Sequence, residues 1–382
     1  MIYREIGRTG KQAGIIGLGC EHLDRKPWET VEATVRTALD LGVNYMDMFM
    51  PGTEVRQHLA RALGERRKDV YIQGHLGSSD IRQQYDISRD LPTVKRYFEE
   101  YLRLFGHIDF GMLFFIDSED DYNAVFDDGG LAEYALERKR LGDIHHIGFS
   151  SHTPATALRA IRTGVPEIMM FSINLAFDLS PGAGSSLAVL DEGFGETEPA
   201  QLNAGRLALY RECERRGIGI SVMKSLGAGK LLSPELTPFA KPMTAVQAIH
   251  YALSRPAVFT VLPGAATPAE IRASHAYLTA TAAERDFSDF LGGLKQDFSG
   301  RCVYCSHCQP CPAGIDIAAV HRALDQARLA PDAIPAPVRE RYDALAVTAD
   351  ACIACGSCEE RCPFGVPVIA NMQTAAELFA AP

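Results

Sequence analysis

Cys302-Val303-Tyr304-Cys305-Ser306-His307-Cys308-Gln309-Pro310-Cys311-Pro312 and, forty residues on, Cys352-Ile353-Ala354-Cys355-Gly356-Ser357-Cys358-Glu359-Glu360-Arg361-Cys362-Pro363 hold eight of the ten cysteines of the chain. Three thiols at two-residue spacing wrap one corner of a small inorganic cube, and a Cys-Pro further along supplies a fourth ligand. One Cys-x-x-Cys run alone also suits structural zinc. Two successive runs of four, each closed by Cys-Pro, read instead as two [4Fe–4S] sites. In ferredoxin-type ligation the fourth cysteine of each run serves the cluster of the other. That logic assigns Cys302, Cys305, Cys308 and Cys362 to one cluster, and Cys352, Cys355, Cys358 and Cys311 to the second. The first run departs from the usual pattern by having two residues, not three, before its Cys-Pro.

Between the runs the pattern is helical, with Ile317, Val320, His321 and Leu324 on one face and Val338, Tyr342, Leu345 and Ala346 on another. The tail therefore reads as a helical dicluster ferredoxin-like domain over residues 296–382. The other cysteines are Cys20 and Cys213, the second in a helical stretch where packing is the simpler role. The chain opens Met-Ile-Tyr-Arg-Glu and holds no apolar run of membrane-spanning length. Thiolates reserved for metal imply a reducing compartment, so a cytoplasmic location is expected. Net charge is −10, with basic residues scattered. Clusters such as Glu65-Arg66-Arg67-Lys68 and Glu137-Arg138-Lys139-Arg140 read as solvated helix ends, and neither nucleic acid nor a membrane is an expected partner.

Residues 1–295 alternate short apolar runs with amphipathic stretches. Strands are predicted at 15–19, 43–47, 70–73, 108–115, 144–149, 168–173, 218–223 and 258–262. Helices are predicted at 30–41, 54–63, 91–104, 131–140, 154–163, 205–216 and 244–253. Eight alternations of this kind predict an α/β fold, a (β/α)8 TIM barrel, rather than a doubly wound sheet. Gly17-Leu18-Gly19 is only a fragment of a dinucleotide-binding glycine motif. In a barrel the chemistry sits where strands end.

Several stretches carry a family resemblance. Tyr3-Arg4-Glu5-Ile6-Gly7-Arg8-Thr9-Gly10 resembles the N-terminal hairpin of aldo-keto reductases, and Ile16-Gly17-Leu18-Gly19 their first strand. Gly42-Val43-Asn44-Tyr45-Met46-Asp47, His146-Ile147-Gly148-Phe149-Ser150 and Leu262-Pro263-Gly264-Ala265 match further signatures of that family. The stretch from Met223 to Leu231 resembles the seventh-strand motif of its ferredoxin-fused branch. The resemblance implies an oxidoreductase with a tetrad of Asp, Tyr, Lys and His. Asp47 holds the Asp position, but Gly52 stands at the tyrosine, His75 at the lysine and Phe114 at the histidine.

Loss of the proton donor matters because a positioned acid contributes roughly 10²–10⁴-fold to carbonyl reduction. The catalytic candidates are Asp47, inward-facing with Tyr45 by strand alternation, and His75, whose imidazole can act as an acid. Glu21, His22, Asp117 and His152 join the mouth, and Cys20, His22, Asp47, His75 and His152 are weighed as a metal ring. By resemblance, a nicotinamide would be held by Ser150, Ser151, Asn174 and Lys224, with Gly264 and Ala265 approaching a phosphate; no cation for NADP selectivity follows them. The expected cofactors are thus two [4Fe–4S] clusters, with NAD(P) a candidate. The expected function is an iron–sulfur oxidoreductase acting on a small organic substrate at the mouth, with a ferredoxin or other electron-transfer protein as partner, and not a conventional NADPH carbonyl reductase. The rival is a non-catalytic electron carrier or redox sensor whose barrel is a binding module. The clusters are expected to exchange electrons with the mouth near Asp47 and His75.

Overall fold

A computed structural model describes all residues except 82–84, 181–183, 193–202, 295–299, 306, 329–332 and 381–382. Eight parallel strands run in chain order around a barrel: Leu18–Gly19, Tyr45–Met48, Tyr71–Leu76, Ile108–Leu113, Ile144–Ser151, Ile168–Ser172, Gly219–Met223 and Val258–Val261. Parallel bridges from Ile16 to Val261 and from Gly19 to Gly264 return the eighth strand to the first. An antiparallel hairpin, Tyr3–Glu5 with Gln12–Gly14, plugs the end where strands start. It delivers Ile6 and Ala13 beneath Tyr45, Phe110, Met112, Ile168, Phe259 and Leu262, which fill the barrel interior. The predicted strands and helices all appear, with ends shifted by a few residues. The proposed boundary at residue 295 lies outside the described residues.

The helix Leu91–Phe105 shows how local sequence builds the outer layer. Asp90 caps it by accepting from the Thr93 N–H at 3.0 Å, Pro92 occupies its first turn, and Gly106 at φ +80° ends it. Val94, Phe98, Tyr101 and Phe105 recur at helical spacing and bury one face. Burying each such side chain stabilises the fold by about 1.5–3 kcal/mol. The same layer steadies the mouth. Arg56, fully buried, donates to the Met50 carbonyl at 3.1 Å and pairs with Glu100 at 3.1 Å, with its guanidinium 3.8 Å from the Tyr101 ring centroid.

The tail is helical as expected, with Ile317–Arg328, Ala336–Asp343 and Val368–Ala380; Leu345 and Ala346 fall beyond the second of these helices. Arg255 donates to the Val303 carbonyl at 3.0 Å, and Arg341 pairs with buried Glu214 at 3.1 Å. His307 bonds Asp286 and approaches Ser288 Oγ at 3.4 Å. Arg255 and Glu214 lie just before strands eight and seven begin, whereas the mouth lies where strands end. These contacts seat the tail along the outer helix layer. Glu214 lies on the helix Ala204–Arg216 and Arg255 just past the helix Ala245–Leu253, both away from the mouth loops.

Candidate active site and cysteine cavities

Strands two and three bring Asp47 and His75 together: Asp47 is in register with Gln73, two residues before His75, and His75 Nε2 lies 2.7 Å from Asp47 Oδ1. Gln73 Nε2 donates to the same oxygen at 2.6 Å, while the hydroxyls of Tyr45 and Ser221 donate to Gln73 Oε1 at 2.8 and 2.9 Å. A carboxylate only accepts, so Asp47 fixes the His75 tautomer with its proton on Nε2. His75 Nδ1 is then a lone pair, and it is buried with no hydrogen-bond partner. Rings of Phe49 and Phe114 stand edge-on to this imidazole, with centroids at 6.1 and 5.4 Å. The imidazole thus presents one unengaged ring nitrogen beside two aromatic rings. Burial, then the Asp47 charge, raises the Tyr45 hydroxyl and the Cys20 thiol well above their ordinary values, so both stay neutral. Gln73 was missed by sequence reasoning, although period-two alternation places it on the same face as His75.

Two of the residues that resemblance placed at tetrad positions lie beside the pair. Gly52 begins the helix Thr53–Leu63, and Phe114 packs against His75. The candidate nicotinamide residues lie near the mouth, but their polar atoms are engaged within the fold. Ser150 Oγ accepts from the Phe115 N–H at 2.9 Å, and Ser151 Oγ donates to Asp117 at 3.1 Å. Asn174 caps a short helix through the Phe177 N–H and donates to the Lys224 carbonyl, each at 2.9 Å. Lys224 Nζ sits 3.1 Å from His152 Nε2. A Cβ on Gly264 would lie 2.3 Å from the ring of exposed His22, which would have to shift to admit a larger residue. Ala265 is buried, and the Ala266 and Thr267 N–H groups at the next helix start already donate to Glu270 at 2.6 and 3.2 Å. An anionic cofactor would meet that carboxylate where it needs free N–H groups.

Among the described residues, the His/Cys/Asp/Glu group close enough to share one ion is His107, Asp109 and His145, at the strand-start end. The set Cys20, His22, Asp47, His75 and His152 does not form one. The tail cysteines group differently. One cavity is lined by Cys311, Cys352, Cys355 and Cys358. A second is lined by Cys302, Cys305, Cys308 and Cys362. Ile317 and Val368, which start the helices following each run, line both cavities and so lie between them. Sulfurs around a single tetrahedral zinc ion stand about 3.8 Å apart, from Zn–S bonds of roughly 2.3 Å. No three described cysteines bring their sulfurs within 4.8 Å of one another. Four thiols around an apolar space wider than one ion suit a multi-iron cluster. Burial pushes the Cys305 thiol up to about 11 and that of Cys308 up to about 12, so a cationic centre is needed to draw off their protons.

Comparison with solved structures finds the aldo-keto reductase AKR11C1 from Bacillus halodurans, holo form, at 20% identity and TM-score 0.58, covering 77% of this chain and 96% of that one. A putative aldo-keto reductase from Pseudomonas aeruginosa is similar at 18% identity and TM-score 0.54, over 72% and 93% of the two chains. No curated protein sequence matches the chain. Residues 299–366 match the family model of the 4Fe-4S dicluster domain. The chain thus joins a barrel with the aldo-keto reductase fold to a 4Fe–4S dicluster domain.

Proposed function

We propose that the protein is an iron–sulfur oxidoreductase acting on a small organic substrate at the barrel mouth, with electrons passed through two [4Fe–4S] clusters. The observation that carries this reading is the grouping of the tail thiols into two cavities of four, each mixing three cysteines of one run with the last of the other. Cys302, Cys305, Cys308 and Cys362 hold the first cluster; Cys352, Cys355, Cys358 and Cys311 hold the second. When bound, such clusters supply one-electron transfer.

Asp47 and His75 are the proposed catalytic pair. His75 Nδ1 accepts a hydrogen bond or a proton from the bound molecule, Asp47 keeps the opposite nitrogen protonated, and the Phe49 and Phe114 rings exclude water. No step is assigned to a nicotinamide here; the Ala266 N–H near the candidate phosphate residues Gly264 and Ala265 already donates to Glu270. The protein is not a conventional NADPH carbonyl reductase: Gly52 and Phe114 carry no proton for a developing alkoxide. Electron exchange between tail and mouth crosses the outer layer at the helix Ala204–Arg216 and at Arg255, where Arg341 and Val303 of the tail make contact. A ferredoxin or similar carrier is the proposed electron partner, in a cytoplasmic setting.

Anaerobic purification tests the reading. Brown protein with about eight iron atoms per chain is expected from two four-iron clusters. Colourless protein holding only zinc would sink it.

A further inference from the structure

At the end of the barrel where strands start, away from the mouth, strands four and five bring three metal-binding side chains together. Phe110 points into the barrel and stacks on His146, with ring centroids 5.2 Å apart. The register pairs Ile108 with Ile144 and Phe110 with His146, so Asp109 lies opposite His145. Period-two alternation then turns Asp109 and His145 to the outer face, together with His107 two residues before Asp109. One nitrogen or oxygen of each residue lies within 4.8 Å of those of the other two. His107 Nε2 is 3.4 Å, and His145 Nδ1 is 3.7 Å, from the same Asp109 Oδ1. The two imidazoles stack, with centroids 4.3 Å apart and planes inclined by 26°.

Those spacings are long for hydrogen bonds, in which N and O stand about 2.9 Å apart. They are close to the roughly 3.3 Å between ligand atoms around one tetrahedral ion with bonds of about 2.0–2.1 Å. The carboxylate is fixed from behind. Its Oδ2 accepts from the Ile72 N–H at 2.9 Å and from Arg67 Nη2 at 3.0 Å, which leaves Oδ1 to the two rings. Arg67 also donates to the carbonyls of His107 and Val70, each at 2.8 Å, so one guanidinium steadies the backbone of one ligand and the carboxylate of another. Partners of this kind orient the groups that touch a metal. Asp109 is 7% exposed, whereas both rings reach solvent, so an ion has an entry path. His146 stays outside the set, because its Nδ1 lies 2.9 Å from Glu167 Oε2.

We propose that His107, Asp109 and His145 form a metal site separate from the cluster cysteines, which takes a divalent transition-metal ion of the zinc class with water completing its coordination. Two imidazoles and one carboxylate suit Zn²⁺, Ni²⁺ or Cu²⁺ better than Mg²⁺ or Ca²⁺, which prefer oxygen alone. The ion bridges the starts of strands four and five, and Asp109 carries the link to strand three through the Ile72 N–H. Its place at the strand-start face of the barrel fits a clamp on the fold and not a second reaction centre. Arg67 offsets part of the Asp109 charge, so binding is expected to be moderate in strength.

Zinc chloride is the probe. Anaerobic calorimetric titration of the cluster-loaded full chain should show saturable binding of one zinc ion per chain, with the iron content unchanged afterwards. Absorption at the zinc K edge should show nitrogen and oxygen neighbours at about 2.0–2.1 Å and no sulfur at about 2.3 Å. His107→Gln and His145→Gln, which replace rings that reach solvent, should each weaken binding at least tenfold. His58→Gln, on the helix Thr53–Leu63, should change nothing. Zinc should raise the melting temperature of the wild type more than that of His145→Gln, and melting without zinc confirms that each variant folds. Absence of zinc binding, sulfur neighbours around the bound zinc, or wild-type affinity in either His107→Gln or His145→Gln overturns the proposal.

Discussion

Replacing Asp178 by asparagine should destabilise the barrel beneath the mouth. Asp178 is fully buried in the short helix that Asn174 caps, after strand six. It accepts from Arg206 Nε, the Tyr210 hydroxyl and the Tyr251 hydroxyl, each at 2.7 Å. Arg206 is 3% exposed and lies 4.9 Å from the Phe171 ring, so its charge has no route to water. Asparagine keeps the shape and one acceptor but removes the countercharge. Breaking a buried pair by removing one partner costs about 3–5 kcal/mol, because the remaining charge is left uncompensated. At about 2 °C per kcal/mol for a large domain, the melting temperature should fall by roughly 6–10 °C. The assay is calorimetry on anaerobically prepared protein matched for iron content, since cluster loss would shift the transition by itself. The double variant Asp178→Leu with Arg206→Met removes both charges and should recover much of the loss. A fall of less than about 2 °C for Asp178→Asn, or no recovery in the double variant, would show that the site is hydrated and the desolvation argument wrong.

Crossed ligation makes a specific demand: Cys311→Ser, though it lies in the first run, should deplete the cluster of the second run and lower iron from about eight to about four atoms per chain. Electron paramagnetic resonance of the reduced variant should then show the loss of the magnetic interaction between two centres; an intact two-cluster spectrum counts against the assignment. The pH dependence of stability should carry the signature of His250, whose pKa is lowered from 6.5 to about 3, by burial first and then by the charges of Arg285, Arg322 and Arg255. The unfolded chain takes up that proton below about 6.5 and the folded one resists until about 3, so stability is full above the unfolded value and is lost as pH falls through this window. At about 1.4 kcal/mol per pH unit the loss amounts to several kcal/mol, and His250→Gln should flatten the curve across the window; an unchanged slope would exclude His250 as its source.

Much of the fold was legible because its causes are local. Helix spacing in Val94, Phe98, Tyr101 and Phe105, the Asp90 cap and the Gly106 stop determine one helix whatever surrounds them. Cysteine spacing likewise announced the dicluster domain, because three thiols two residues apart can only wrap a compact inorganic centre. Strand alternation placed Asp47 and His75 on the inner face, and the replaced tetrad positions were visible residue by residue. What the sequence could not supply was distance between elements far apart in the chain. Gln73 bridges Asp47 to Ser221 across the barrel, and His152 meets Lys224 on one side and Asp117 on the other, from three different strand ends. After strand eight the Ala266 and Thr267 N–H groups are engaged by the carboxylate of Glu270, a side chain only a few residues away whose reach depends on the helix cap. The seat of the tail was decided in the same way. Whether the clusters face the mouth or the helix layer depends on where Glu214 and Arg255 find Arg341 and Val303, and such pairings across separate domains exist only once both have folded.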